Sequence, residues 1–200
     1  PSFRIFLRAM LLVAAGLCAP AWSQDAAPAG VQRVRFETTL GAFTVEVDPA
    51  RAPLTAASFL QYVRDQHYDG TIFHRVIGNF VVQGGGYLPD GTEKPVRAGV
   101  PNESGNGLSN RRSTVALART GDPHSGTSQF YVNVTDNIAL DPSPARWGYA
   151  VFGRVVEGMD VVDRIASVAT GSSGPFQEDA PLQPVVISTA RVVGEAATPK

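Results

Sequence analysis

Eight short segments with β-strand character constrain the fold more than any other feature of the sequence. The first two, 31–38 and 41–47, alternate apolar and polar residues on either side of a turn, which predicts an antiparallel hairpin. The other six segments are 71–76, 80–83, 114–118, 129–134, 149–156 and 185–193. Helices do not alternate with these segments, so a parallel sheet is not required. Eight antiparallel strands of this length would close into a barrel, which removes exposed edges.

Two helices accompany the strands. One apolar helical pattern starts at Pro53 and ends before Gly70, and a second spans 159–168. We expect both helices to cover the open ends of the barrel, so the expected fold class is all-β with minor α. Residues 31–193 would form one domain. Within it, residues 84–113 show no clear periodicity, and a loop of that length in a compact domain is usually functional.

The N-terminal residues have the layout of a secretory signal peptide. Two arginines precede a short apolar run, and small residues stand at the −3 and −1 positions of a cleavage site before Gln24. The apolar run is shorter than the roughly 20 residues that a membrane-spanning helix needs. We therefore predict a signal peptide at 1–23, a linker at 24–30 and a flexible tail at 194–200. A buried N-terminal helix is the alternative interpretation of the first segment.

Charge and residue usage exclude several classes of function. The balance of 17 Lys+Arg against 18 Asp+Glu, a formal net charge of −1, excludes a generally basic nucleic-acid binder. The single cysteine, Cys18, lies within the predicted signal peptide, so the mature chain would contain no thiol. The three histidines, His67, His74 and His124, do not have the spacing of a metal motif. We therefore expect no metal site, and the sequence signatures of serine hydrolases, kinases and dehydrogenases are also absent.

The segment 73–85, FHRVIGNFVVQGG, carries the most informative residues. Arg75 is a cation in an otherwise apolar strand, which is costly unless it finds an acceptor or an open groove. A structural ion pair is the simpler interpretation of an isolated arginine. However, aromatic and amide side chains lie on this segment and on a neighbouring one: Phe80, Gln83, Gln129 and Tyr131. Such a mixture is suited to binding a peptide.

Four stretches together resemble the cyclophilin peptidyl-prolyl isomerases: FHRVIGNFVVQGG, NESGNGLSNRRSTVALART, SQFYVNV and YAVFGRVVEGMDVVDRI. Their order and spacing hold from about Val31 to Val193, and the resemblance is strongest to the bacterial, periplasmic branch. The resemblance implies a closed eight-stranded antiparallel β-barrel capped by two helices. It also implies an enzyme that isomerises X–Pro bonds in polypeptides without a cofactor. Such a protein would be a periplasmic monomer, free of the membrane once its signal peptide is removed.

The resemblance also assigns site residues. It makes Arg75 the catalytic arginine. The implied substrate-binding residues are Phe80, Gln83, Ala118, Arg119, Gln129, Tyr131, Leu140 and Tyr149. Ala139 stands where cyclosporin-sensitive members have Trp, so the resemblance does not carry inhibitor sensitivity over to this chain. Two other classes of function stay open: a non-catalytic Pro-peptide binding module or holdase that uses the same groove, and a serine hydrolase built from Ser125 or Ser128 with His124.

Overall fold

The computed structural model of the protein describes residues 30–195. The predicted signal peptide, the linker up to residue 29 and the tail from residue 196 lie outside the described residues. The described strands are β1 (Gln32–Thr38), β2 (Gly41–Val47), β3 (Arg75–Ile77), β4 (Val81–Gly84), β5 (Thr114–Leu117), β6 (Phe130–Asn133), β7 (Val151–Glu157), β8 (Thr170–Ser173), β9 (Phe176–Pro181) and β10 (Ile187–Val192). The helices are α1 (Pro53–Arg64) and α2 (Met159–Ala166), and a short 3-10 helix covers Ile138–Leu140.

Eight of these strands form one antiparallel sheet in the order β10-β1-β2-β7-β5-β6-β4-β3. Each of the eight predicted β segments overlaps one strand of this sheet, and both helices start where the sequence predicts. The strands β8 and β9 form a separate two-stranded hairpin, which was not predicted from the sequence. The mostly β architecture with two helices is therefore confirmed, with one additional hairpin.

The large sheet curls into a half-barrel, and its ladder of strand pairs does not close. The end strands β3 and β10 do not pair with each other. Just outside them, an isolated antiparallel bridge joins Ile72 to Val186, and the Phe73 amide donates to the Val185 carbonyl over 3.0 Å. Turns cover residues 65–70, and between them and β3 only Ile72 forms a β-bridge, so the strand ladder ends there. The closure predicted from the sequence is therefore not confirmed, whereas the curled eight-stranded antiparallel sheet is.

The two-residue period of the strands separates the main core from the outer face of the sheet. Val76, Val82, Val132 and Val115 lie in register across β3, β4, β6 and β5, and all are buried in the main core. The neighbouring residues of these strands face the opposite side, because successive side chains of a strand alternate. A second, smaller apolar cluster forms there, consisting of Val81, Ala116, Ala118, Tyr131 and Val151.

The aperiodic loop of residues 84–113 is tied to the start of α1. The Glu103 carboxylate accepts hydrogen bonds from the Leu54 amide over 3.1 Å and from the Thr55 amide over 2.8 Å. The first amides of a helix lack partners within the helix, so this carboxylate satisfies two of them. None of the helices described between residues 30 and 195 could span a membrane.

Candidate functional site

A pocket with a volume of about 410 Å³ lies on the outer face of the sheet, over the second apolar cluster. Its lining residues are Arg75, Phe80, Val81, Gln83, Ala118, Arg119, Tyr131, Leu140 and Tyr149. Eight of the nine site residues predicted from the sequence thus come together in one wall, and the ninth, Gln129, lies beside it. Val81 was not among the residues predicted from the sequence. Its position two residues before Gln83 places it on the same face of β4, a signal that could have identified it.

The strand register places three side chains of the pocket in one row. Arg75 on β3 pairs with Gln83 on β4, and Gln83 pairs with Tyr131 on β6. Directly paired residues of antiparallel strands project from the same face of the sheet, with their Cβ atoms about 5 Å apart. The register therefore brings a cation, an amide and an aromatic ring together from three strands that are separated along the chain.

The Arg75 guanidinium retains its hydrogen-bond donors. Its Nε lies 3.8 Å from Oδ2 of Asp179, and the arginine side chain is 42% exposed. The guanidinium makes no hydrogen bond to any of the described residues. The structural ion pair considered from the sequence therefore exists, but it is too long for a hydrogen bond. The N–H groups of Arg75 remain able to bind a ligand in the pocket.

Gln129 supports Gln83 from outside the pocket wall. The Gln83 Nε2 donates to Oε1 of Gln129 over 3.0 Å. Gln129 itself packs closely on Gly86, where an added Cβ would lie 2.7 Å from the Gln129 Cγ. The Gln83 side-chain oxygen has no hydrogen-bond partner among residues 30–195. That oxygen can accept a hydrogen bond from a peptide amide in the pocket.

Phe80 and Tyr131 provide an apolar surface that the surrounding structure holds in place. The Phe80 carbonyl accepts hydrogen bonds from Nδ2 of Asn137 over 2.9 Å and from the Val134 amide over 3.1 Å. The Tyr131 ring is buried, and its hydroxyl donates to Oδ1 of Asn110 over 2.8 Å. Burial, followed by the nearby Tyr149, raises the pKa of Tyr131, so the phenol stays neutral at physiological pH.

Asn110 is a buried residue beneath the pocket that links several of its segments and was not predicted from the sequence. The Asn110 Oδ1 accepts hydrogen bonds from the Tyr131 hydroxyl and from Nδ2 of Asn133, the latter over 3.3 Å. The Asn110 Nδ2 donates to Oδ1 of Asp141 over 2.9 Å. Burial raises the pKa of Asp141, but hydrogen bonds from Ser109 and Asn110 outweigh it and lower this pKa below its usual value. The ionised carboxylate fixes the backbone next to Leu140, which lines the pocket.

The Arg119 side chain contacts the segment before β7 that carries Tyr149. Its Cζ lies 4.4 Å from the centroid of the Tyr149 ring. Its Nε donates to the Gly148 carbonyl over 3.3 Å and its Nη2 donates to the Trp147 carbonyl over 2.9 Å. The backbone N–H and C=O of Arg119 make no hydrogen bond within the described part of the chain. These two groups directly follow Ala118, the residue at which the backbone pairing ends. The Ala118 amide donates to the Gln129 carbonyl over 2.9 Å.

The residues considered for a serine hydrolase do not form a catalytic arrangement. The Ser125 hydroxyl donates to the Asp122 carbonyl over 2.7 Å, and the His124 Nδ1 accepts from the Asn102 amide over 3.1 Å. The Ser128 hydroxyl is buried and has no hydrogen-bond partner in the described structure. Neither serine is hydrogen-bonded to the histidine, so the activating base of a serine nucleophile is absent from this cluster.

Comparisons with known proteins agree in pointing to one family. A family model described as "Cyclophilin type peptidyl-prolyl cis-trans isomerase/CLD" matches residues 33–192. Peptidyl-prolyl cis-trans isomerase cyp18 of Streptomyces antibioticus is 54% identical over 164 residues, which cover 80% of this chain and 98% of that protein. Peptidyl-prolyl cis-trans isomerase B of Escherichia coli K12 is 47% identical over 162 residues, with coverages of 80% and 98%.

A solved structure shares the fold. It is a Cryptosporidium parvum cyclophilin type peptidyl-prolyl cis-trans isomerase, determined in the presence of the dipeptide Ala-Pro. The two structures have a TM-score of 0.70 at 23% sequence identity, and the match covers 82% of this chain and 100% of the other. At this level of identity the comparison establishes a common fold.

Proposed function

Because the chain belongs to the cyclophilin-type peptidyl-prolyl cis-trans isomerases, we propose that Arg75 stabilises the twisted X–Pro amide during isomerisation. Rotation about a peptide bond must break its partial double-bond character, against a barrier of about 18–20 kcal/mol. Uncatalysed exchange of X–Pro bonds therefore takes tens to hundreds of seconds. An enzyme accelerates this step by binding the twisted transition state more tightly than either planar ground state.

Arg75 can provide this differential binding. In the twisted amide the proline nitrogen becomes pyramidal and regains a lone pair that can accept a hydrogen bond. In the planar amide the same lone pair is delocalised, so it is a poor acceptor. The observation that carries the proposal is that the Arg75 guanidinium borders the pocket without any hydrogen bond to the described residues. Arg75 therefore does not have to break a hydrogen bond within the protein when the transition state forms, and the cost of reorganising the site stays small.

The remaining lining residues would hold the two sides of the rotating bond. The apolar surfaces of Phe80, Tyr131 and Leu140 suit the proline ring, which is itself apolar. The free oxygen of Gln83 and the unpaired backbone groups of Arg119 suit the flanking peptide chain. With the ring and the flanking chain held, the acyl group before proline can rotate. The reaction forms no covalent bond to the enzyme.

The proposed setting is the folding of secreted proteins in the periplasm. It rests on the signal-peptide layout of residues 1–23 and on the similarity to bacterial isomerases. The substrates would be proline-containing polypeptides, and we propose that the mature protein acts as a monomer. The balance of acidic and basic residues offers no general attraction for nucleic acid.

Binding and catalysis can be separated in one NMR experiment with residues 24–200. Titration of the ¹⁵N-labelled protein with an Ala-Pro peptide should shift the amide signals of Phe80, Gln83 and Arg119. Exchange spectroscopy on the peptide then reports the isomerisation rate. Arg75→Ala should retain most of the chemical-shift changes that the peptide causes but should lose most of the catalysed cis-trans exchange. If both proteins bind the peptide and neither catalyses exchange, the groove serves a binding module or holdase and the proposal fails.

A further inference from the structure

The carboxylate beside Arg75 comes from the hairpin that lies outside the large sheet. Asp179 on β9 is the only acidic residue within 4.0 Å of the Arg75 guanidinium in the described structure. Its side chain is 33% exposed and makes no hydrogen bond to the described residues. Arg75 and Asp179 are therefore each other's only charged partner within residues 30–195.

The hairpin is anchored next to Arg75 by an aromatic cluster. The Phe176 ring centroid lies 5.4 Å from that of His74 and 5.1 Å from that of Tyr87, and the His74 and Tyr87 centroids are 4.7 Å apart. His74 directly precedes Arg75, so the cluster joins β9 to the start of β3. At the turn of the hairpin, Pro175 packs on Gly91, where an added Cβ would lie 2.6 Å from the proline ring. These contacts give Asp179 a fixed position relative to Arg75.

The backbone at Asp179 is unusual for a strand residue. Its φ angle is +58°, in the left-handed region that Gly, Asn and Asp occupy more readily than other residues. Such a conformation persists where the surrounding structure holds it, and it often accompanies a functional site. Here it occurs at the residue whose carboxylate approaches the Arg75 guanidinium.

We propose that Asp179 is a positioning residue for Arg75. The ion pair forms at Nε, so it restrains the long arginine side chain while the terminal nitrogens keep their donors for the substrate. At 3.8 Å the carboxylate attracts the guanidinium without taking a hydrogen bond from it. This orientation reduces the rotamer entropy that Arg75 must lose in the transition state. The inference rests on the proposed role of Arg75, through which Asp179 acts.

The test compares Asp179→Asn with Glu178→Gln in residues 24–200. Asn tolerates the left-handed backbone as Asp does, so the first variant removes the charge and keeps the conformation. Glu178 is the exposed neighbour on β9, and Glu178→Gln removes the same charge away from Arg75. We expect Asp179→Asn to lower kcat about threefold to fivefold with little change in KM, since orientation matters in the transition state. Glu178→Gln should leave kcat unchanged.

A second readout reports the arginine itself. The heteronuclear ¹H–¹⁵N NOE of the Arg75 Nε–H group should fall in Asp179→Asn, because the side chain becomes more mobile, while the melting temperature stays near that of the parent. In the Arg75→Ala background, Asp179→Asn should have no further effect on kcat. If Asp179→Asn does not fold, Asp179→Gly serves in its place, because glycine accepts the same φ angle.

The outcomes separate the positioning role from the proposed function. Full activity of Arg75→Ala would overturn the function of Arg75 and the inference with it. The positioning role alone would be overturned if Arg75→Ala lowers kcat while Asp179→Asn leaves kcat unchanged or raises it. An unchanged Arg75 NOE in Asp179→Asn would have the same consequence. A further loss of kcat on adding Asp179→Asn to Arg75→Ala would also overturn it, because the carboxylate would then act independently of Arg75.

Discussion

The Tyr131 hydroxyl donates a hydrogen bond over 2.8 Å to Oδ1 of Asn110, which is fully buried. This bond joins the pocket wall on β6 to the long loop that precedes β5. Through the same asparagine, Asp141 and its neighbour Leu140 are linked to the wall from a third segment. The shape of the pocket therefore depends on one buried polar network, and such networks are destabilising when left partly satisfied.

Asn110→Ala should destabilise the protein and also impair the pocket. The change removes the partner of the Tyr131 hydroxyl and one donor to the Asp141 carboxylate, so we expect a loss of about 2–4 kcal/mol in the free energy of unfolding. Tyr131→Phe removes only one hydroxyl, and Asn133 still donates to Asn110. It should cost about 1 kcal/mol. Denaturant unfolding of both variants checks this order, and equal stability of all three proteins would contradict the network's role.

The sequence predicted much of the fold, because strand alternation and helix starts are local properties. The eight β segments and the starts of α1 and α2 follow directly from apolar periodicity and Pro53. The β8–β9 hairpin escaped because residues 170–181, TGSSGPFQEDAP, are polar and rich in turn formers and show no strand alternation. Its stability comes from contacts with distant residues such as His74 and Tyr87.

The site could be predicted from two sources: the mixture of a cation with aromatic and amide residues on neighbouring β segments, and the family resemblance, which added the remaining residues. Eight of the nine assigned residues line one pocket, whereas Asn110 and Asp179 are revealed only by their tertiary contacts. Both belong to segments without apolar periodicity, where the sequence contains no local signal for a partner. The closed barrel is not confirmed for a related reason, since closure depends on whether the two end strands meet.

The stability of the protein should fall as the pH is lowered from neutrality. Burial, followed by the charge of Arg75, lowers the pKa of His74 from 6.5 to about 4. The unfolded state therefore binds more protons than the native state between these values, so the free energy of unfolding rises with pH across this window. His74 alone should cost about 2 kcal/mol between about pH 7 and pH 5. Burial also lowers the pKa of His67, which adds to the effect in the same direction.

The variant His74→Phe isolates this contribution. Phenylalanine keeps a ring between Tyr87 and Phe176 but cannot be protonated, so the dependence of unfolding free energy on pH should become shallower. Gln177→Ala, at an exposed and non-titratable position of the same hairpin, is the control and should leave the slope unchanged. Urea unfolding at a series of pH values measures both slopes. An unaltered slope in His74→Phe would show that His74 does not titrate as described.

Glu103 should stabilise the protein without contributing to turnover. Its carboxylate accepts hydrogen bonds from two of the first amides of α1, and it does not line the pocket. Glu103→Ala should lower the free energy of unfolding by about 1–2 kcal/mol. Activity per folded molecule should stay constant. Glu178→Ala, at an exposed glutamate, should change neither the free energy of unfolding nor the activity. If Glu103→Ala is as stable as this control, Glu103 does not cap α1.

Export should depend on residues 1–23. When the full sequence is expressed behind an initiating methionine in a Gram-negative host, we expect the exported protein to begin at Gln24. A version without residues 1–23 should stay in the cytoplasm. Intact-mass measurement of the periplasmic and cytoplasmic fractions distinguishes the two forms. Recovery of the uncleaved full sequence from the cytoplasm alone would contradict the predicted signal peptide.

The catalytic role of Arg75 can be tested by the rate of cis-to-trans conversion of a short Ala-Pro peptide at low temperature. Residues 24–200 would be compared with Arg75→Ala and with Arg35→Ala, an exposed arginine on β1 that is paired with Glu37 outside the pocket. Circular dichroism would verify that all three are folded. We predict that Arg75→Ala lowers kcat/KM at least about tenfold and Arg35→Ala leaves it within about twofold. Equal kcat/KM values for Arg75→Ala and the parent would show that Arg75 has no catalytic role.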